Sequence, residues 1–149
     1  MPDNESELLM QVARTLRRRW AAAYAPMGLT PHQARALRVA GEHDGLRLSA
    51  VAEALRISPR SATEVVDVLE RADLVTRRPD PTDRRATLVA VTALGARTLD
   101  TLSAARTKEA DDFFARLTGD ERIALRGILG KLVQEDTAPA SRSNAVGPQ

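Results

Sequence analysis

The side chains of this 149-residue chain best suited to chemistry lie between Leu48 and Thr92, and the chemistry they suit is recognition rather than bond-making. Arg60, Ser61, Thr63 and Glu64 follow Pro59 at the start of a helical pattern, where polar groups can reach base edges in a DNA major groove. Arg84 and Arg85 sit beside the tip of a hairpin containing Pro79 and Pro81. A guanidinium there suits the negative potential of a minor groove. Catalysis has little to draw on: His32 and His43 have no nucleophile beside them, and no glycine loop could cradle a phosphate. The expectation is a non-enzyme without cofactor or metal. The absence of cysteine excludes disulfides, thiolate metal sites and thiol-based oxidant sensing.

Periodicity supplies the elements that must hold these side chains. Leu48, Val51, Ala52 and Leu55 recur at steps of three and four, the stripe of a short helix with Ser49, Glu53 and Arg56 turned to water. Ser58 can cap a second helix, with Pro59 in the first helical position where no N–H is lost. Its inner stripe is Ala62, Val65, Val66 and Leu69, so Arg60, Ser61, Thr63, Glu64 and Asp67 face outward. On this pair alone, an ordinary packed helix pair with a solvated face is the simpler reading. The hairpin changes the balance. Val75-Thr76 and Thr87 to Val91 favour strand, while Arg77 to Arg85, RRPDPTDRR, is expected to be the loop between them, a basic tip with four arginines.

The segment resembles the winged helix-turn-helix of the MarR family of bacterial transcription regulators. The resemblance rests on Leu69-Glu70, Leu74-Val75, Asp83-Arg84-Arg85 and Val91-Thr92, in order and at family spacing, and extends more weakly from the N-terminal helix to about Glu135. It implies that Arg85 is the wing arginine aimed at the minor groove and that Asp83 braces the wing. From the residues alone, Trp20 and Tyr24 read as core or interface side chains rather than a ligand cage; the resemblance implies instead a cleft, lined by the first helix, for a small aromatic or anionic effector, and the lining expected on that reading is Trp20, Tyr24 and Arg38. Three positions depart from the family pattern. Glu64 stands where a basic or neutral residue is common, Val68 where an arginine is frequent, and Asp73 where a glycine usually closes the recognition helix. Glu64 can accept from a cytosine amino group, yet it repels phosphate.

The flanks read as a frame. Ser6 is expected to cap a helix carrying Leu8, Leu9, Val12, Leu16, Trp20 and Tyr24 on one side and Arg14, Arg17, Arg18 and Arg19 on the others, a solvated arginine face. Thr30 and Gln33 form a capping box for a helix ending near Gly41, and His43-Asp44-Gly45 is a turn. Thr92 caps a long helix with Leu94, Leu99, Leu102, Phe113 and Phe114, and a second box at Thr118 and Glu121 opens another with Leu125, Ile128, Leu129, Leu132 and Val133. Such apolar faces want a second copy, giving a two-fold dimer whose DNA site is an inverted repeat.

The fold expected is therefore mainly α with a small antiparallel β-hairpin: one domain over 1–136, with the winged helix-turn-helix at about 30–92 and dimerisation helices at about 6–25 and 93–136, then a disordered tail over 137–149. Composition is that of an ordinary globular protein, 43% hydrophobic and 28% charged. Net charge is only +2, and from Leu48 to Val91 seven arginines meet seven acids, so the case for DNA rests on placement rather than excess. No run suits a bilayer or a signal peptide, and the expected location is the cytoplasm. The function expected is a sequence-specific double-stranded DNA-binding regulator, a repressor released by a small-molecule effector. The rival reading is a winged helix that binds another protein and has lost duplex affinity.

Overall fold

The computed structural model describes residues 4–137, without the side chains of 135–137. The chain divides into two compact units, one ending at Asp112 and one starting at Phe113. The expected tail, from residue 138 on, lies outside the described residues.

The first unit runs α1 (Glu5–Tyr24), a 3-10 turn (Ala25–Met27), α2 (Pro31–Gly41), β1 (Leu46–Arg47), α3 (Leu48–Leu55), α4 (Pro59–Arg71), β2 (Val75–Pro79), β3 (Thr87–Val91) and all but the end of α5 (Ala93–Phe114). The cap of α1 is Asn4 rather than Ser6. The Asn4 side-chain oxygen accepts from the Glu7 N–H at 2.9 Å and from the Ser6 hydroxyl at 2.7 Å, so Ser6 lies inside the first turn. The other expected caps hold: Thr30 and Gln33 exchange both capping-box bonds, and Ser58 accepts from the Ser61 N–H. Thr92 accepts from the Gly95 N–H at 3.0 Å.

Helices α3 and α4 end alike, each on a residue in the left-handed region: Arg56 at φ 55 and Asp73 at φ 58. Arg56 N–H reaches the Glu53 carbonyl and Ile57 N–H that of Ala52. Asp73 N–H reaches Glu70 and Leu74 N–H reaches Leu69 in the same way. These are Schellman closures, which glycine makes at least cost. Asp73, where the resemblance leads one to expect glycine, thus adopts the left-handed geometry that glycine makes most readily, since aspartate is among the residues that tolerate this region.

The sheet has three antiparallel strands in the order β1-β3-β2, one more than the hairpin expected. The addition is Leu46-Arg47, paired with Val89 and Leu88 and too short to show an alternating pattern. Strand β2 also runs further than expected. Arg77, Arg78 and Pro79 pair with Val89, Leu88 and Thr87, so the loop is 80–86 rather than 77–85. Pro79 is accommodated because Asp80 N–H bonds the Ala86 carbonyl at 3.1 Å, which makes the neighbouring Pro79-Thr87 position a non-hydrogen-bonded one. There the missing N–H points to the open edge of β2.

Leu37, Val51, Leu55, Val66, Leu69, Val75, Val89 and Leu102 pack into one core that ties α2, α3, α4, the sheet and α5 together. Gly95 marks the tightest point. A Cβ there would stand 2.0 Å from the Leu74 carbonyl oxygen and 2.7 Å from Val91 Cγ1. Because the first obstacle is backbone, Gly95→Ala is expected to destabilise the fold by about 1–3 kcal/mol in chemical denaturation. Gly41→Ala is the control and should cost less, since its first obstacle is the end of the Leu99 side chain. Equal costs at the two sites would contradict this account.

The second unit holds the end of α5, a connection closed by the Thr118–Glu121 capping box, and α6 (Gly119–Thr137). The rings of Phe113 and Phe114 meet edge to face, 5.0 Å between centroids. On α6, Ile123, Ile128, Leu132 and Val133 are each more than half exposed. No helix among the described residues is long and apolar enough to cross a membrane.

Candidate nucleic-acid interface

Of the four residues expected to read bases from α4, two project and two are engaged. The Arg60 and Glu64 side chains are 90% and 67% exposed and meet at 3.4 Å, one turn apart. The Thr63 hydroxyl donates to the Pro59 carbonyl of its own helix at 3.0 Å, and the Ser61 hydroxyl accepts from that of Ser58. Serine and threonine make such local bonds readily, so sequence position alone overstates their reach.

The four arginines around the hairpin divide in the same way. Arg77 points inward and joins β2 to α4: its guanidinium pairs with Asp67 at 2.5 Å and with Glu70, and its N–H donates to Glu70 Oε1. The two carboxylates raise the pKa of Arg77 against the opposing effect of burial. Arg78 donates to the carbonyl and carboxylate of Asp44, fastening β2 to the turn before β1. Only Arg84 and Arg85 remain at the tip, exposed, with guanidiniums that form no ion pair among the described residues. Half of the expected basic cluster is therefore structural, and half faces outward.

Asp83 acts on the backbone. Its carboxylate accepts from the Arg85 N–H at 3.0 Å and, among the described residues, makes no bond to a guanidinium. The carboxylate that anchors the loop is Asp80, which the sequence marks only as a turn former. Asp80 is only 6% exposed and accepts four bonds. Arg47 Nε and Nη2 approach Oδ2 at 2.8 and 2.7 Å, while the N–H and hydroxyl of Thr82 approach Oδ1 at 2.9 and 2.7 Å. The Thr82 N–H above all, then its hydroxyl and Arg47, hold the Asp80 carboxyl below the ordinary aspartate range, against the effect of burial. Arg47 stands on β1, so the wing is tied at both edges of the sheet, and only the missed third strand could have pointed to it.

Trp20, Tyr24 and Arg38 come together on the walls of a cavity of about 610 Å³ between α1 and α2. Trp20 and Arg38 also line a second, of about 520 Å³, with Glu42 from the end of α2 and Leu99, Asp100 and Arg106 from α5. The Arg106 guanidinium lies 4.3 Å from the centre of the Trp20 ring. Trp20 Nε1 and Arg38 Nε are buried N–H groups without a hydrogen-bond partner among the described residues. Burial, then the positive charge of Arg106, lowers the pKa of Arg38, and burial raises that of Tyr24. An acceptor bearing negative charge would satisfy both N–H groups and offset the repulsion between the two guanidiniums.

A model of the MarR family matches residues 27–86. The protein named for regulation of the hcr operon of Thauera aromatica is 36% identical over 110 residues, which are 74% of this chain and 66% of that protein. The HTH-type transcriptional repressor Rv2887 of Mycobacterium tuberculosis is 31% identical over 126 residues, 84% of this chain and 90% of the relative. Among solved structures, CouR from Rhodococcus jostii RHA1, bound to p-coumaroyl-CoA, superposes with a TM-score of 0.73 at 28% identity, covering 87% of this chain and 92% of that one.

Proposed function

The chain belongs to the MarR family of transcriptional regulators, and from that premise we propose that it is a sequence-specific repressor of transcription, released from double-stranded DNA by a small aromatic or anionic effector. The observation that carries the DNA reading is the sorting of the charges. Arg77, Arg78 and Arg47 are tied into the fold, whereas Arg60 and Glu64 on α4 and Arg84 and Arg85 on the wing stand outward. A winged helix retained only for binding other proteins has no need of a braced hairpin whose tip keeps two unpaired guanidiniums. In this reading Arg60 and Glu64, with lesser help from Ser61 and Thr63, read the major groove, and Arg84 and Arg85 enter the minor groove.

The apolar side chains exposed on α1, Leu8, Leu9, Met10 and Val12, and those on α6 are read as surfaces for a second copy. The operator is then an inverted repeat with half-site centres about 10 base pairs apart or a multiple of that. Such a protein works where the chromosome is, in the cytoplasm. The effector is assigned to Trp20, Tyr24 and Arg38, because a ligand can release DNA only if it binds one spacing of the two α4 helices more tightly than the other.

Mobility-shift assays on genomic fragments test the first half, and loss of the shift with aromatic acids tests the second. Trp20 is the single tryptophan, so its fluorescence reports the cavity. Arg38→Leu is expected to keep DNA binding while raising the effector concentration needed for release about tenfold, the cost of one charge-assisted bond. Absence of any retarded fragment would instead favour a protein-binding role.

A further inference from the structure

We propose that Arg35 is the positioning residue through which an anion in the cavity between α1 and α2 reaches the reading helix: its guanidinium holds the end of α3 in the DNA-binding arrangement, and an anion takes that hold away. The inference rests on the effector reading above and assigns the coupling rather than the ligand. Arg35 stands on α2, and its Nη2 donates to the Ala54 carbonyl at 2.8 Å. That acceptor lies in the last turn of α3. The Arg56 N–H reaches the Ala52 and Glu53 carbonyls and the Ile57 N–H that of Ala52, so among the described residues no backbone N–H closes on Ala54. A carbonyl left over at a helix C-terminus carries the negative end of the helix dipole, which suits a guanidinium.

The place of this bond gives it leverage. Two residues beyond Ala54 the chain passes through the left-handed Arg56, and two further on Ser58 caps α4. Among the described residues no other hydrogen bond joins α2 to α3 or to the turn after it. Leu37, Val51, Leu55 and Val66 pack the three helices together, but apolar contact is not directional. The angle at which α3 hands over to α4 therefore depends on a bond that α2 supplies from the cavity wall.

On its other side Arg35 faces the cavity it shares with Arg38. No carboxylate lines that cavity, and Arg35 forms no ion pair among the described residues. Burial first, then Arg106 and, more weakly, Arg35 lower the pKa of Arg38, so the guanidiniums of Arg35 and Arg38 feel each other's charge. An anion between them relieves that repulsion. It also outbids the Ala54 carbonyl, because it brings charge and two oxygens for the guanidinium fork where the carbonyl offers one neutral oxygen. DNA and anion thus draw on the same guanidinium, and each weakens the binding of the other by the same factor.

The first test builds a carboxylate into the cavity of the full-length protein and measures affinity for a genomic fragment selected for tight binding. Ala21 lines the same walls, so Ala21→Glu supplies the anion and Ala21→Gln is the neutral control. Ala21→Glu is expected to bind the fragment at least about tenfold more weakly than Ala21→Gln, the size of one charge-assisted bond. In an Arg35→Met background, itself weakened about tenfold, the same exchange should cost less than about twofold. An equal cost in both backgrounds overturns the proposal, because the carboxylate then acts through its charge alone. The second test, which stands even if Ala21→Glu fails to fold, titrates wild type and Arg35→Met with benzoate, reading Trp20 fluorescence for binding and mobility shift for release. Arg35→Met should still bind benzoate through Arg38, yet saturation should lower its DNA affinity no further. A merely structural Arg35 would lower DNA affinity and leave both couplings intact. Release of Arg35→Met by the same factor as wild type overturns the proposal and leaves the effector reading standing. If benzoate neither binds nor releases wild type while the cost of Ala21→Glu depends on Arg35, the effector reading fails for that ligand and the assignment of Arg35 holds.

Discussion

Asp80→Asn is expected to weaken binding to all duplex sequences by about tenfold or more, even though it makes the protein more positive by one charge. On charge alone, removing an acid beside DNA strengthens binding, so the sign separates bracing from simple electrostatics. The carboxylate accepts from two nitrogens of Arg47 through one oxygen and from two groups of Thr82 through the other. An asparagine amide presents a single acceptor oxygen, so one side of the loop is released whichever way it turns. Arg84 and Arg85 then sample many positions, and the entropy of ordering them is charged to binding. Asp83→Ala should have the same sign and a smaller size, because Asp83 holds one backbone N–H rather than two edges of the sheet. Tighter binding by Asp80→Asn, with an unchanged fold, would falsify the brace.

The same carboxylate gives a pH dependence. Its folded pKa lies below the ordinary aspartate value, so its contribution is fully present above the unfolded pKa and is lost as pH falls through the lowered folded value. The wing should therefore be insensitive to pH between about 5 and 8 through this group, and fail only in acid below the usual carboxylate range.

What the sequence disclosed and what it withheld follow from the range of the interactions involved. Helix starts at Thr30, Ser58, Thr92 and Thr118 were legible because a cap and its partner lie within three residues. The inner stripes of α3 and α4 were legible because burial repeats with the helical period. Roles set by distant partners were not. Arg47 and Asp80 are 33 residues apart, Asp44 and Arg78 are 34 apart, and no local pattern joins either pair. Arg77 reads as part of a basic tip because its acids, Asp67 and Glu70, belong to the preceding helix. The strand at Leu46-Arg47 exists only through its pairing with β3. Family resemblance joins Trp20, Tyr24 and Arg38, but only the structure adds Arg106, from a helix more than eighty residues further along the chain than Trp20.

Glu64→Gln is expected to change which sequences are bound, and Arg85→Ala how tightly all of them are bound. Arg60 and Glu64 are the exposed pair on the first turns of α4, and the hydroxyls of Ser61 and Thr63 are already bonded within the helix. On the function proposed here, discrimination between operators falls mainly to the pair, with Arg60 suited to guanine and Glu64 able to accept from a cytosine amino group at about 1–3 kcal/mol per well-made base pairing. Glu64→Gln removes an acid that repels phosphate, so affinity for random duplex should rise while the preference for the selected operator falls by roughly tenfold. Arg60 also loses its intrahelical partner and becomes free to take a phosphate, which adds to the non-specific term. Arg85→Ala should lower affinity for selected and random sequences by similar factors and flatten the slope of log affinity against log salt by about one unit for each phosphate no longer neutralised. Selection of bound sequences from a random pool, followed by salt titrations on the winners, measures both effects. If Glu64→Gln selects the same operator with the same rank order of variants, base reading does not reside in this pair. The exposed pair on α4 would then serve only to adjust the charge presented to the phosphate backbone, and specificity would have to come from the shape of the duplex as the two braced wings grip it.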